Sequence, residues 1–386
     1  IRVFRRHPKI RFWGRVHNQL NINQARIKPS DIRVRHYGWI KDYSRKKAKT
    51  ERTRKLLEKQ LAETPDIHFL RYHLGGIYCD EGNLEKGIPL LKEAVELLEE
   101  PRHKAKACYV LGVNLKVQGN VEESEKYLLK SLEIIPWFLI ARYTLADLYA
   151  TGLSRLDKAI EEMERIVHHT MDIPPEFLDV GHHPHIESVS APWNLAIYYQ
   201  AVGKLEEAAN LLSKVALQKG EQELEVRSDL ANVLLRMGRP DQAARELFLV
   251  RKIDPNLKNI ALRLENALER AGSLEEALKV LEEEMEANPE NQEYLTAKGR
   301  LLMKSGDLLK AETALKEAVG KSAPEYEPSR LLLAETIRRL SESERNPARM
   351  KEAVTLVQNV LARNPQSAAA RNVLAGIQQT LAALST

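Results

Sequence analysis

Apolar residues recur along most of this chain at three- and four-residue intervals, in blocks separated by short polar breaks. Such spacing predicts amphipathic helices. One stretch runs Leu111, Gly112 and Leu115 to Gly119, then Ser124, Leu128 and Ser131 to Pro136. It predicts two helices joined by a glycine turn and ended by proline. The pattern returns as Leu74, Gly75, Tyr78, Gly82; as Leu195, Ala196, Tyr199, Gly203; and as Leu230, Ala231, Leu234, Gly238. Leu264, Leu268, Gly272 and Gly299, Leu302, Gly306 repeat it again. Gly203, Gly238, Gly272 and Gly306 fall at a nearly constant interval of about 34 residues. A further copy, Leu145, Ala146 and Tyr149 followed by Ala159 and Met163, places its turn around Gly152, one residue longer. The last pair is looser, with Leu333, Ala334 and Ile337, then Ala353, Val357 and Val360. About eight helix pairs result, and Ala368–Leu384 reads as a closing helix.

The residue types suit stacked pairs. Gly75, Gly112, Ala196 and Ala231 let the two helices of a pair approach closely. Ala208, Ala243, Ala277 and Ala311 in the second helices are expected where the next pair docks. Glycine ends each first helix because the turn needs a positive φ. A helix–turn–helix unit repeated at this period resembles the tetratricopeptide repeat family over residues 67–365. The resemblance implies an all-α fold: a right-handed α-solenoid of about eight helix pairs, occupying residues 67–386. It also implies a groove that holds a protein or peptide ligand.

The period breaks once. Gly152 to Gly203 is a step of 51 residues, so an insert of about 17 residues is expected within 168–190. It carries His168, His169, His182, His183 and His185, with Asp172, Glu176, Asp179 and Glu187 as possible companions. Histidine and carboxylate could bind zinc. The spacing matches no metal motif, and a long surface loop is the simpler expectation.

Charge separates the first segment from the rest. Residues 1–59 hold 19 Lys and Arg against 4 Asp and Glu, whereas the whole chain has a net charge of only +5. Two cysteines exclude a disulfide framework, and no apolar run is long enough to span a membrane. These features point to a cytoplasmic protein. The chain starts at Ile1 without methionine or a signal pattern and reads as part of something longer.

Residues 1–41 do not follow the repeat. Ile1–Phe4, Ile10–Trp13 and Ile32–His36 read as short strands of a small irregular or β remnant. A basic connecting helix is expected within 42–66. Phe4-Arg5-Arg6, Gly14, Val16-His17, His36-Tyr37-Gly38-Trp39 and the Lys46–Arg54 run follow one another in order. That order resembles the end of a bacterial family 2 glycosyltransferase domain of the kind followed by tetratricopeptide repeats. Asn18 and Trp39 depart from the family's usual glutamate and tyrosine. The resemblance implies a transferase parent using a nucleotide sugar and a divalent cation, Mn or Mg. His17 would then be a metal ligand, and Arg5, Arg6 and Arg15 would face phosphate. The Asp-any-Asp motif of such enzymes has no counterpart in this chain, so neither cofactor nor turnover is expected of these residues alone.

The function expected is therefore an interaction scaffold that recruits a protein or peptide. Arg71, Asn114, Arg142, Asn194 and Asn232 are the candidate groove residues, because first-helix polar side chains can hold a peptide backbone. The alternative is a free-standing adaptor whose basic first segment, with Phe4, Phe12, Trp13, Tyr37, Trp39 and Tyr43, binds nucleic acid or another acidic partner. Strand-like alternation of those aromatics argues against nucleic acid.

Overall fold

A computed structural model of the chain describes residues 12–13, 19–20, 43–168, 173–174, 177–218, 220, 222–323 and 326–384. Phe12–Trp13 (β1) pairs antiparallel with Gln19–Leu20 (β2), Phe12 opposite Leu20. The strands expected at Ile1–Phe4 and Ile32–His36 lie outside the described residues, as do His17, Arg5, Arg6 and Arg15.

The rest is helical. After α1 (Tyr43–Glu63) come eight pairs: α2 (Phe69–Asp80) with α3 (Leu84–Leu97), α4 (Pro101–Gln118) with α5 (Val121–Ile134), and α6 (Leu139–Asp147) with α7 (Leu156–Val167). A short turn, α8 (Leu178–Gly181), precedes α9 (Ala191–Ala201) and α10 (Leu205–Ala216). Then follow α11 (Glu223–Arg236) with α12 (Pro240–Ile253), α13 (Ile260–Ala271) with α14 (Leu274–Ala287), and α15 (Gln292–Ser305) with α16 (Leu308–Lys321). The last pair is α17 (Glu327–Ser343) and α18 (Met350–Arg363), closed by α19 (Ala368–Leu384). The fold is an all-α solenoid. It divides into two compact units, Ile1–Tyr198 and Tyr199–Thr386.

The glycine turns have a common geometry. Gly82, Gly119, Gly203, Gly238, Gly272 and Gly306 all have φ between 72° and 87°, and a Cβ there would meet nothing within 4 Å. Backbone conformation alone therefore selects glycine. After five of the six the next residue donates its N–H five positions back, as Asn120 does to Leu115 O (2.9 Å) and Ser273 to Leu268 O (2.9 Å). The third pair corrects the sequence reading. Its left-handed residue is Ser154 (φ 52°), and Gly152 ends a π-helical turn, Leu148–Gly152. That turn absorbs the one extra residue, so Arg155 donates six positions back, to Tyr149 O (2.8 Å). In the eighth pair Arg345 (φ 51°) takes the same place.

Close approach within each pair is explicit. A Cβ on Gly75 would lie 2.9 Å from Leu91 Cγ; on Gly112, 2.8 Å from Leu128 Cγ; on Gly299, 2.4 Å from Leu315 Cγ. The small residues of the second helices were expected to face the following pair. Gly87 and Ser124, which hold the register of Ala208 and Ala243 in their own pairs, face their own first helix. A Gly87 Cβ would lie 2.8 Å from Gly75 O, and Ser124 Oγ donates to Gly112 O at 2.7 Å. The tightest seam is inside the pair because each small residue opposes the backbone of its partner helix.

The expected connecting helix is also a packed lid. Leu57 of α1 is fully buried with Leu70 and Leu74, Tyr78 donates to Glu58 Oε1 at 2.7 Å, and Arg54 reaches Glu81 at 3.0 Å. At the other end α19 joins the α17–α18 core through Ala370 and Ile377, and Arg338 donates to Thr380 Oγ1 at 3.1 Å. Both lids cover an apolar face that an end repeat would leave bare. Cys79 and Cys108 are buried and free, and burial pushes both thiols up to about 11.

Candidate functional site

First helices form one layer of each unit, and the residues they present are aligned by register. Three positions before the small residue of each first helix stand Tyr72, Tyr109, Tyr143 and Trp193 in the first unit. All four are half-buried. Burial raises the ionisation of the Tyr72, Tyr109 and Tyr143 hydroxyls above the ordinary tyrosine range. Asn194 Nδ2 donates to Tyr143 Oη at 2.8 Å, joining α9 to α6. Lys116 of α4 and Asp147 of α6 form an ion pair, so the two charges largely cancel. Phe69, His73 and His103 stack edge-on at 4.2 and 4.7 Å at the first-helix end of this row. The same register in the second unit holds Ser228, Leu262, Thr296 and Leu331.

The five groove candidates separate by role. Arg71 and Arg142 sit four positions before the small residue, a register that Arg227 and Arg330 share. Each of the four binds a carbonyl ahead of its helix, three of them in the loop and one at the end of α10: Pro65 O for Arg71, Pro136 O for Arg142 (2.6 Å), Ala323 O for Arg330 (3.0 Å) and Ala216 O for Arg227 (3.4 Å). Three also reach a carboxylate on the second helix of their own pair. Arg71 meets Glu93 at 3.1 Å, Arg142 meets Glu162, and Arg227 meets Glu246 at 2.6 Å. Arg142 is only 8% exposed. These guanidiniums tie loop, first helix and second helix together. Asn114 donates to Val110 O of its own helix at 2.8 Å. Asn232 is exposed and accepts from Arg263 Nη2 at 3.3 Å. Arg71, Asn114, Arg142 and Asn194 lie in the first unit and Asn232 in the second, and Asn194 stands one residue from the aromatic register.

Sequence reasoning passed over the aromatic register, although a period-aligned comparison of first helices contains it. It also passed over Glu265, which occupies the small-residue position of α13. This carboxyl is 1% exposed, and burial pushes it above the usual carboxylate range even though Arg300 of α15 bridges it at 2.9 Å. The acidic run Glu282–Glu284 is not simply solvated. Glu282 meets Lys298 at 2.9 Å, and Arg251 bridges Glu283 and Glu284 at 3.0 and 2.8 Å.

Histidines of the insert that are described make local bonds. His182 Nδ1 lies 3.0 Å from Glu187, His185 Nδ1 lies 2.9 Å from Ser190 Oγ, and His183 Nδ1 accepts from Ile186 N at 3.4 Å. His169, Asp172 and Glu176 fall outside the described residues. Among the described residues no group of three or more His, Cys, Asp or Glu could hold a metal ion. No described helix is long and apolar enough to cross a membrane.

Residues 105–136, 199–268 and 262–327 match tetratricopeptide repeat profiles. A TPR repeat-containing protein of Synechococcus elongatus is 28% identical over 133 residues, which cover 31% of this chain and 33% of that relative. The match thus spans about a third of the relative's length. Among solved structures, the C-terminal part of a TPR repeat-containing protein from Cytophaga hutchinsonii covers 69% of this chain and 99% of its own, at 14% identity and a TM-score of 0.49. YrrB, described as a TPR protein with an unusual peptide-binding site, covers 54% and 97%, at 16% identity and 0.42. MamA covers 49% and 99%, at 24% identity and 0.37. The repeats over residues 105–136 and 199–327 are thus of the tetratricopeptide type.

Proposed function

We propose that this repeat protein is an interaction scaffold that holds extended polypeptide segments against its first-helix layer. One observation carries the reading: Tyr72, Tyr109, Tyr143 and Trp193 share a register on four successive first helices and stay half-exposed. Tyrosine and tryptophan offer large, stiff contact areas with a polar edge, and such groups dominate recognition surfaces. The Asn194 carboxamide, held by Tyr143, adds donor and acceptor capacity beside Trp193. Selection of a random peptide library against the full chain tests this. Selected peptides should lose at least about tenfold in affinity to Tyr109→Ala combined with Asn194→Ala, the scale expected for an anchor contact. If no peptide is selected, or the double variant binds equally well, the scaffold reading falls.

A finer reading makes this scaffold the C-terminal part of a family 2 glycosyltransferase, with the repeats recruiting acceptor or partner. It rests on the order of Phe4-Arg5-Arg6, Gly14, Val16-His17 and His36-Tyr37-Gly38. In such a parent His17 would join the ligands of a Mn or Mg ion holding the nucleotide sugar. The coding sequence upstream of Ile1 tests it, since an Asp-any-Asp strand motif there is required. The alternative, nucleic-acid binding by residues 1–59, draws on their 19 Lys and Arg. A salt-sensitive gel shift of single-stranded RNA, lost on deleting residues 1–41, would favour it.

A further inference from the structure

The second unit carries a different first-helix surface. Asn232 of α11, Asn266 of α13 and Arg300 of α15 recur at the repeat interval, and Arg236, Arg270 and Lys304 recur at the same interval one helical turn later. Residues four apart share a helix face. Each helix therefore presents an amide or guanidinium followed by a cation. Neighbouring first helices are in contact here. Arg236 Nη2 donates to Gln200 O at 3.3 Å, Arg270 Nη2 to Leu235 O at 2.9 Å, and Arg263 Nη2 to Ser228 O at 3.3 Å.

The charges on this surface do not balance. Arg300 and Lys304 are neutralised by Glu265 and Glu269, which lie buried beneath them. Arg236, Arg263 and Arg270 bind carbonyl oxygens and the Asn232 amide oxygen instead. Among the described residues no ion pair joins a carboxylate to these three guanidiniums. Asn232, Arg236, Asn266 and Arg270 are exposed.

We propose that this face of α11 and α13 binds an acidic, extended peptide segment. The inference rests on the scaffold reading and names the chemistry of one partner. Carboxylates of the ligand would pair with the forked donors of Arg236, Arg263 and Arg270. The Asn232 and Asn266 carboxamides, which offer donor and acceptor together, would hold its backbone. A peptide fits better than a nucleic acid. The register that is aromatic in the first unit holds Ser228, Leu262 and Thr296 here, so no ring is placed to stack on bases.

The test uses the full chain and a fluorescein-labelled dodecapeptide of alternating glutamate and serine, read by anisotropy. A lysine–serine dodecapeptide and a thymidine dodecanucleotide serve as comparators. The variant is Arg236→Gln with Arg270→Gln, which keeps an N–H donor for the Gln200 and Leu235 carbonyls, so helicity should be unchanged. The acidic peptide should bind, weaken as salt rises, and lose about tenfold or more in the variant, as expected for two charge-assisted contacts. The lysine peptide should not bind. Absent binding, binding indifferent to the variant, or tighter binding of the oligonucleotide overturns the inference. No binding of the acidic peptide, while library peptides still depend on Tyr109 and Asn194, would sink it and leave the scaffold reading intact.

Discussion

The first-helix layers of the two units use one register and fill it with opposite chemistry. In the first unit the half-buried register is aromatic, and the Lys116–Asp147 pair nearly cancels the local charge. In the second it is aliphatic or hydroxylic, and guanidiniums run from helix to helix. Beneath both lies the same seam. Gly112 against Leu128 and Gly299 against Leu315 leave no room for a Cβ. The contrast shows that pair packing constrains the small-residue position tightly, because interiors are close-packed. Positions three residues away carry no such demand, and their chemistry differs between the units.

The largest test of this contrast removes an equivalent arginine from each unit. Arg142→Ala leaves the buried Glu162 carboxylate with only the half-exposed Arg165 at 3.4 Å and should cost about 3 kcal/mol. Arg227→Ala should cost less, about 1–3 kcal/mol, because its partners Glu223 and Glu246 are each 21% exposed and can find water. All four tryptophans precede residue 199, so tryptophan fluorescence reports the first unit, whereas circular dichroism reports both. In urea titrations Arg142→Ala should shift the fluorescence midpoint and Arg227→Ala only the dichroism midpoint. Coincident shifts would mean that the units unfold together.

Next in size are the two turns without glycine, one in each unit. Ser154→Gly and Arg345→Gly should each stabilise by about 1 kcal/mol, because glycine adopts a positive φ without penalty. Thermal unfolding checks both. A loss of stability at Ser154→Gly would show that the π-helical turn, and not φ, sets the geometry there.

Dependence on pH should differ in sign between two buried or half-buried glutamates. The Tyr78 hydroxyl and Arg54 hold the Glu58 carboxyl below its usual range. Its contribution is complete above the unfolded value and is lost as pH falls through the folded one. Burial raises Glu265, so its effect runs the other way: the fold is favoured below the unfolded value, and that advantage is lost as pH rises through the folded one. Glu58→Gln should flatten the acid-side loss of stability, and Glu265→Gln the decline towards neutral pH. Denaturation midpoints between pH 3 and 7 would show whether the two slopes are opposite.

The smallest effect is kinetic. With both thiols pushed up to about 11 by burial, Cys79 and Cys108 should react slowly with iodoacetamide at pH 8 in the folded chain. Labelling should accelerate only in urea that opens the first pairs. Fast labelling without denaturant would show that the first unit opens locally.

Much of the architecture was legible in the chain itself. Six glycines predicted six left-handed turns, and the longer third turn announced an extra residue. Periodicity could not show that a π-helical turn following α6 would take up that residue and move the positive φ to Ser154. Which neighbour Gly87 and Ser124 face was not legible, because helical spacing says which residues share a face, not which neighbour that face meets. Arg71 and Arg142 looked like groove residues for the same reason. Their loop carbonyls and second-helix carboxylates lie beyond the reach of one helical turn along the chain and converge only on folding.

What the sequence determined by itself is local and repetitive: helix pairs at a regular period, glycine turns, an insert after the third pair and a closing helix. Each follows from interactions within a few residues, where propensity, capping and φ preference suffice. Tertiary structure decided which polar groups are spent and which remain available. Arg142 is used up by Glu162, Arg300 by Glu265, and Lys116 by Asp147, whereas Arg236 and Arg270 keep their charge unmatched. Whether a charge is compensated depends on groups brought within a few ångströms by packing, and no linear pattern records that distance.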